Sequence, residues 1–180
     1  MVKVLLMRHG ESKFNEEWRP LMRYFNFSGE GKALPDHEKS RLSLEIRASS
    51  RPELINAALN DIGRKQCHAA QAKLNSYKDI KHVFVSPMLR TLQTFEESME
   101  THPNIKANKI KVDLLPDLRE RCHSNCDLSY LEQDPFDNQQ MLEVVRWPEL
   151  YDWSWMNAYE DPKFWWLENG DATYAKEKLA

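Results

Sequence analysis

A histidine between an arginine and a glycine is the arrangement in this chain best suited to chemistry on an anion. His9 and Gly10 come directly after the short apolar run VKVLLMR, residues 2–8. A neutral imidazole can attack phosphorus near neutral pH, and the guanidinium fork of Arg8 matches phosphate oxygens. The glycine allows a tight turn, and the N–H groups of a helix beginning after it would attract an anion. The pattern predicts a phosphate site, whereas in a purely structural role His9 would only cap a strand end.

A second arginine follows a second apolar run in the same way. The run HVFVS at 82–86 is followed by Pro87, which can occupy the first turn of a helix, and Arg90 lies one turn into that helix. Taken alone, an arginine in a first helical turn is usually a solvated surface residue. Ligands of open α/β sheets bind outside the carboxyl ends of the strands. Two such junctions in one sheet therefore favour a shared site in which Arg90 contacts the same phosphate.

Strands and helices alternate along the part of the chain that must hold these residues. Apolar runs at 2–8, 82–86 and 111–116 predict strands, and the first is expected to be central and buried on both faces. A helix is predicted over about 61–77, capped by Asn60 or Asp61. Its apolar positions recur at helical spacing: Cys67, Ala70, Leu74 and Tyr77. The alternation predicts an α/β fold with a mostly parallel central sheet.

The 180 residues are expected to form one domain, residues 1–180. Residues 18–58 depart from the alternation and predict an insertion over one edge of the sheet, with a short helix near 36–48. Residues 147–166 are acidic and rich in tryptophan. We expect these rings to pack the segment onto the domain or to line a substrate mouth.

The composition excludes several classes of function. A net charge of −3 and a pI near 6.1 give no basic excess, which argues against nucleic acid as a partner. The apolar run at the N-terminus is too short for a membrane span or a signal peptide. Three cysteines and no secretory signal favour a reducing, cytoplasmic location. Cys122, His123 and Cys126 lack the further ligands that a zinc site needs, so we predict no metal.

Four motifs occur in an order that resembles the histidine phosphatase, or phosphoglycerate mutase-like, superfamily. They are LLMRHGES with Asn15 after it, LNDIGRKQC, VSPMLRTLQT, and LRE at 118–120. The resemblance spans residues 1 to about 166 and implies a three-layer α/β/α fold around a mostly parallel sheet. The pair Cys126-Asp127 and the pair Trp165-Trp166 also resemble the plant and fungal branch of that superfamily.

The resemblance also implies a role for each matching residue. His9 would be the nucleophile that accepts the phosphoryl group, and Glu120 the general acid that protonates the leaving oxygen. The phosphate-binding residues would be Arg8, Asn15 and Arg90. Asp117 ranks second to Glu120 as the acid, and is more readily understood as a surface residue. The implied reaction hydrolyses a small phosphomonoester through a phosphohistidine, without a metal or cofactor.

One element of the family pattern is not found. Family members carry a second histidine after a later strand, and no apolar run followed by histidine occurs after residue 127. We therefore expect the C-terminal part of the fold to be missing from these 180 residues, or part of the site to be lost. A missing strand would expose sheet edges, so we expect self-association or a further C-terminal segment to cover them. The alternatives to a phosphatase are a phosphoglycerate-type mutase and a non-catalytic phosphoester-binding or interaction module.

Overall fold

The computed structural model describes residues 3–24, 37–38, 40–41, 45, 54–118, 145–152 and 154. These residues form longer helices, short strands and two single turns of 3₁₀ helix at Pro116–Leu118 and Pro148–Leu150. In chain order the main elements are α1 (Lys13–Tyr24), α2 (Asp61–Asn75), β1 (His82–Val85), α3 (Leu89–Met99), α4 (Pro103–Lys106), β2 (Lys111–Leu114) and β3 (Tyr151–Asp152).

The strands form a parallel sheet in the order β1-β2-β3. Val85 pairs with Leu114 across β1 and β2, and Val112 pairs with Tyr151 across β2 and β3. Parallel strands need a crossover connection, which α3 supplies between β1 and β2. The α/β class and the parallel sheet predicted from the alternation of elements are both confirmed.

The core lies between α3 and this sheet. Ten buried side chains form one cluster there: Leu74, Val85, Leu92, Phe95, Met99, Ile110, Val112, Leu114, Val145 and Tyr151. The ring of Phe95 meets those of Trp147 and Tyr151 edge to face, at centroid distances of 6.4 and 5.9 Å. Edge-to-face pairs add to the stabilisation that burial itself provides. Helix α3 is therefore the centre of the packing, and its first turn has a fixed position relative to the sheet.

The predicted helices form close to their expected positions. Asn60 caps α2, because its Oδ1 accepts from Gly63 N at 2.8 Å, and the helix ends at Asn75, two residues before the predicted end. Helix α3 begins at Leu89, so Pro87 precedes its first turn instead of lying in it. Near the predicted short helix at 36–48, residues 37, 38, 40, 41 and 45 are helical. Most of the predicted insertion and of the tryptophan-rich segment lies outside the described residues.

The prediction of a buried central strand at 2–8 is wrong for the residues described there. Residues 3–8 belong to no strand, and Val4 and Leu6 are 78% and 90% exposed. An apolar run becomes a strand only when a neighbouring strand pairs with it, and within the described chain none does so. The first pairing of this segment is the single antiparallel bridge of Ser12 with Leu59. None of the helices described is long and apolar enough to cross a membrane.

Candidate functional site

Residues 9–12 are held between α2 and α3 by backbone hydrogen bonds. Gly10 N donates to Thr94 Oγ1 on α3 at 3.0 Å, and Glu11 N donates to Gln66 Oε1 on α2 at 2.9 Å. Glu11 also accepts from Asn60 N at 3.0 Å through its carbonyl oxygen. The segment carrying His9 is thus fixed to α2 and α3, the two helices that contain most of the second and third sequence motifs.

Two glycines allow this close approach. A Cβ atom on Gly10 would lie 2.8 Å from the carbonyl oxygen of Gly63, and a Cβ atom on Gly63 would overlap the backbone of Glu11. Glycine is the residue that permits backbones to meet at such distances. The sequence suggested a tight turn at Gly10. A glycine inside a predicted helix, as at position 63, is the one sequence feature that indicated close packing there.

The His9 ring is oriented by its own neighbour. Nδ1 lies 2.7 Å from the carbonyl oxygen of Gly10, and this ring is half-buried. A carbonyl oxygen can only accept, so Nδ1 carries a proton, and in the neutral imidazole the lone pair therefore lies on Nε2. This tautomer is the one that a nucleophile acting through Nε2 requires. Arg8, immediately before it, is exposed.

Arg90 is buried in the first turn of α3, where its side chain is only 3% exposed. The solvated position that such a residue usually takes is therefore not the one found here. Thr94, one turn later on the same face, accepts from Gly10 N and donates through Oγ1 to the Arg90 carbonyl at 2.6 Å. The helix face that carries Arg90 is thus the face on which Gly10 packs.

Helix α1 begins where the sequence suggested, directly after the Arg-His-Gly turn. Asn15 Oδ1 accepts from both Ser12 N and Ser12 Oγ at 3.1 Å, and Asn15 N donates to Ser12 Oγ at 3.2 Å. These bonds close the first turn of the helix. The side-chain oxygen of Asn15 accepts two of these bonds, and Nδ2 is the side-chain group that can donate to a phosphate.

The Glu11 carboxylate joins α1 to the start of α2. It pairs with Arg19, and its Oε1 accepts from Asn60 Nδ2 at 2.8 Å. The sequence analysis did not identify a role for Glu11, because Arg19 lies outside the four motifs and Asn60 lies in a different motif from Glu11. The contacts show that the glutamate of the Arg-His-Gly-Glu run positions the backbone of the site.

A network of ionic groups joins α2, α3 and residue 146. Glu97 Oε1 accepts from Arg64 at 2.5 Å, Glu97 Oε2 lies 2.7 Å from His68 Nε2, and Arg146 also reaches Glu97 Oε1 at 3.3 Å. Burial raises the pKa of Glu97, but His68, Arg146 and Arg64 outweigh it and lower the pKa below its ordinary value.

The same group includes the only set of histidine and acidic side chains in the described residues that is close enough to hold a metal ion: His68, Glu97 and Glu100. Arg64 already pairs with Glu97, and Arg146 Nη1 pairs with Glu100 at 2.8 Å. Two guanidinium groups therefore neutralise the carboxylates that a cation would need. We interpret the group as an ion-pair network that fixes α2 to α3.

A cleft of about 450 Å³ opens between the starts of α1 and α2. Its described lining includes Glu16, Glu17 and Asp61, with Lys13 and Arg64 as the basic side chains. Carboxylates repel a phosphate dianion. The cleft is therefore a poor place for a phosphoryl group.

The predicted general acid is not among the described residues. Glu120 lies outside them, as do Cys122, His123 and Cys126. Asp117 is described and exposed, in the 3₁₀ turn Pro116–Leu118 just beyond the carboxyl end of β2. Of the five predicted site residues, the structure thus describes Arg8, His9, Asn15 and Arg90.

Comparison with known families gives one match. The model of the histidine phosphatase superfamily (branch 1) matches residues 49–164, more than half of the chain. The matched range contains Arg90 and Glu120 and begins after His9. Comparisons with curated proteins and with solved structures gave no match.

Proposed function

Because the chain belongs to the histidine phosphatase superfamily, we propose that it hydrolyses a small phosphomonoester through a phosphohistidine on His9. The observation that carries this proposal is the His9 tautomer, fixed by the 2.7 Å contact between Nδ1 and the Gly10 carbonyl. It directs the lone pair to Nε2. The attachment of Gly10 to the α3 face of Arg90 supports it further.

In the proposed reaction, His9 Nε2 attacks phosphorus and the bond to the ester oxygen breaks. Arg8, Arg90 and Asn15 Nδ2 bind the non-bridging oxygens, and Glu120 donates the proton that the leaving alkoxide takes. A water molecule then attacks the phosphohistidine while the Glu120 carboxylate takes its proton, and inorganic phosphate, the original imidazole and the neutral acid are regenerated. The positive charge of two arginines offsets the charge of the phosphoryl group, so this scheme needs no metal.

Two finer assignments belong to the same proposal. Membership in the plant and fungal branch rests on Cys126-Asp127 and Trp165-Trp166, which lie outside the described residues. A reducing compartment rests on the odd number of cysteines. A phosphoglycerate-type mutase would use the same first step and return the phosphoryl group to the substrate.

Binding without turnover is the second candidate, and a specific observation favours it. Three of the other described histidines are engaged in contacts elsewhere. His68 contacts Glu97, His82 contacts Asp113 at 2.7 Å, and His102 Nε2 contacts the Tyr77 carbonyl at 3.2 Å. The second imidazole of the family pattern is therefore not supplied by these three.

The deciding experiment combines turnover with a trap for the intermediate. The purified chain should release phosphate from p-nitrophenyl phosphate and give an acid-labile phosphoprotein, and His9→Ala should abolish both. His82→Ala is the matched control, because His82 begins β1, at the opposite end of that strand from Ser86. Arg90→Ala should weaken orthovanadate binding by about 2–4 kcal/mol. Vanadate binding without turnover or phosphoprotein would favour the binding module, and absence of all three would exclude both candidates.

A further inference from the structure

The start of α3 is capped by a residue from a distant part of the chain. Asn56 Oδ1 accepts from Leu89 N, the first residue of the helix, at 2.9 Å. Asn56 has a φ of 43°, a left-handed conformation that asparagine tolerates better than most residues. Its side-chain amide is therefore held at the positive end of an 11-residue helix.

Two buried hydrogen-bond donors at this helix end have no partner within the part of the chain that the structure describes. Among the described residues, Asn56 Nδ2 and Ser86 Oγ are buried polar atoms without a hydrogen bond. Asn56 is 4% exposed and Ser86 is 6% exposed. Buried polar groups are nearly always satisfied by protein, water or ligand, so two such groups at one helix end indicate a place for an acceptor.

Both donors belong to residues that are hydrogen-bonded to the first turn of α3, which contains the predicted phosphate ligand Arg90. The Ser86 carbonyl accepts from Thr91 Oγ1 at 2.5 Å, so Ser86 is tied to the same first turn of α3 that contains Arg90. The chain after Asn56 runs along α3 to the site, since Leu59 N donates to Gln93 Oε1 at 2.8 Å and Lys13 N donates to Ala58 O at 2.9 Å. The helix end and residues 9–13 therefore belong to one connected structure.

We propose that Asn56 Nδ2 and Ser86 Oγ bind the phosphoryl group of the substrate, donating to its non-bridging oxygens beside Arg90. The inference rests on the proposed function and deepens it. A phosphate dianion offers several acceptor lone pairs, and a helix start with neutral donors and a guanidinium matches both its charge and its hydrogen-bonding needs. The ligand class is a tetrahedral oxyanion: a phosphomonoester, inorganic phosphate or orthovanadate.

Asn56→Asp separates this role from a structural one. Aspartate keeps an oxygen to accept from Leu89 N, and it tolerates the left-handed conformation. It replaces the Nδ2 donor with a negatively charged acceptor. The folded chain should therefore keep its melting temperature, while affinity for orthovanadate, measured by calorimetry, should fall at least tenfold.

Asn108→Asp is the matched control for this change. Asn108 also has a positive φ, of 51°, and it is exposed in the loop after α4. The same substitution there adds the same charge without touching the start of α3. Vanadate affinity should stay at the wild-type value in this variant.

Ser86→Ala tests the second donor independently of Asn56. Removing a buried hydroxyl that has no partner among the described residues should leave the unliganded chain as stable as before, or more stable. If Ser86 Oγ donates to the ligand, the variant should bind vanadate and inorganic phosphate roughly 3- to 10-fold more weakly. Stability retained and affinity lost is the combination we expect.

The outcomes separate this inference from the proposed function. Wild-type vanadate binding that depends on Arg90 but is unchanged in Asn56→Asp and Ser86→Ala would overturn the inference alone. Wild-type protein that binds neither vanadate nor phosphate and shows no turnover would overturn both. Reduced affinity in both variants, with normal affinity in Asn108→Asp, would support it.

Discussion

The surroundings of Glu96 and Glu97, which are adjacent on α3, shift their pKa values in opposite directions. Burial raises the pKa of Glu96, although its Oε1 accepts from Arg146 N at 2.7 Å and from Trp147 N and Tyr151 Oη at 3.1 Å. Burial, with the Glu96 carboxylate beside it, also raises the pKa of Tyr151, which stays a donor. In Glu97, ion pairs outweigh burial and the pKa falls. The surroundings of Glu96 therefore disfavour its charged form relative to the unfolded chain, whereas those of Glu97 favour it.

These opposite shifts predict opposite pH dependences of stability. The raised pKa of Glu96 means that its contribution is present below the ordinary value of 4.5 and is lost as pH rises through the folded pKa. The lowered pKa of Glu97 means that its contribution is present above 4.5 and is lost as pH falls through the folded pKa. Glu96→Gln should thus gain stability relative to wild type as pH rises. Glu97→Gln loses these ion pairs, so its free energy of unfolding at pH 7 should be lower than that of wild type by about 1–3 kcal/mol, a modest size because Arg64 and Arg146 are partly exposed. This deficit should shrink in acid.

Urea unfolding of wild type and both variants between pH 4 and 7.5 measures these differences. Each variant serves as the control for the other, since both replace a neighbouring carboxylate with an amide on the same helix. If the free energies of unfolding of the two variants changed with pH in the same way, this result would contradict the opposite pKa shifts assigned to Glu96 and Glu97. A larger deficit of Glu97→Gln at low pH than at pH 7 would do so as well.

Some site residues could be predicted from the sequence and others could not. His9 and Arg90 follow apolar runs directly, so a local pattern finds them. Glu11 could not be found in this way, because its partners Arg19 and Asn60 are known only from the fold. The same holds for Asn56, whose partner Leu89 is 33 positions away. The roles assigned to Arg8, His9, Asn15, Arg90 and Glu120 stay predictions until the variants are measured.

At the scale of elements, helices were easier to predict than the first strand. The cap residue Asn60 and the apolar spacing along α2 are local, and the helix formed within two residues of its predicted end. The strand at 82–85 formed because β2 pairs with it. Residues 3–8 have a similar apolar character, but strand formation depends on a neighbour that no local pattern reveals.

The packing of α2 against the site makes Gly63→Ala informative. On helix propensity alone, this change inside α2 should stabilise by about 0.5–1 kcal/mol. The added Cβ would instead overlap the Glu11 backbone, so we expect a net loss of about 1–3 kcal/mol and a reduction of the proposed phosphatase activity. Thermal unfolding and p-nitrophenyl phosphate hydrolysis measure the two effects.

Ala72→Gly supplies the matched control, because Ala72 is exposed on the same helix. It should cost about 1 kcal/mol through propensity and leave activity unchanged. A Gly63→Ala protein that is more stable than wild type and fully active would show that the contact between Gly63 and residues 10–11 does not fix the site.

Several large apolar side chains are exposed on the described part of the molecule. One face of the sheet packs on α3, while Phe84 in β1 is 53% exposed and the side chains of residues 4–7 are exposed as well. Contiguous apolar surface is uncommon on monomeric proteins and attracts partners. Our expectation that something covers a sheet edge, either a second copy or a further segment, remains a proposal that this exposure motivates.

Leu6→Ser tests that exposure in solution. Leu6 is 90% exposed, so the substitution should change the free energy of unfolding by no more than about 0.5 kcal/mol. It should also lower the binding of the apolar dye ANS and shift any self-association seen by sedimentation towards the monomer. Lys3→Ser is the control, because it changes an exposed charged residue of the same segment without removing apolar surface. A loss of 2 kcal/mol or more in Leu6→Ser, a size typical of buried leucines, would mean that residues 3–8 are covered in the protein in solution.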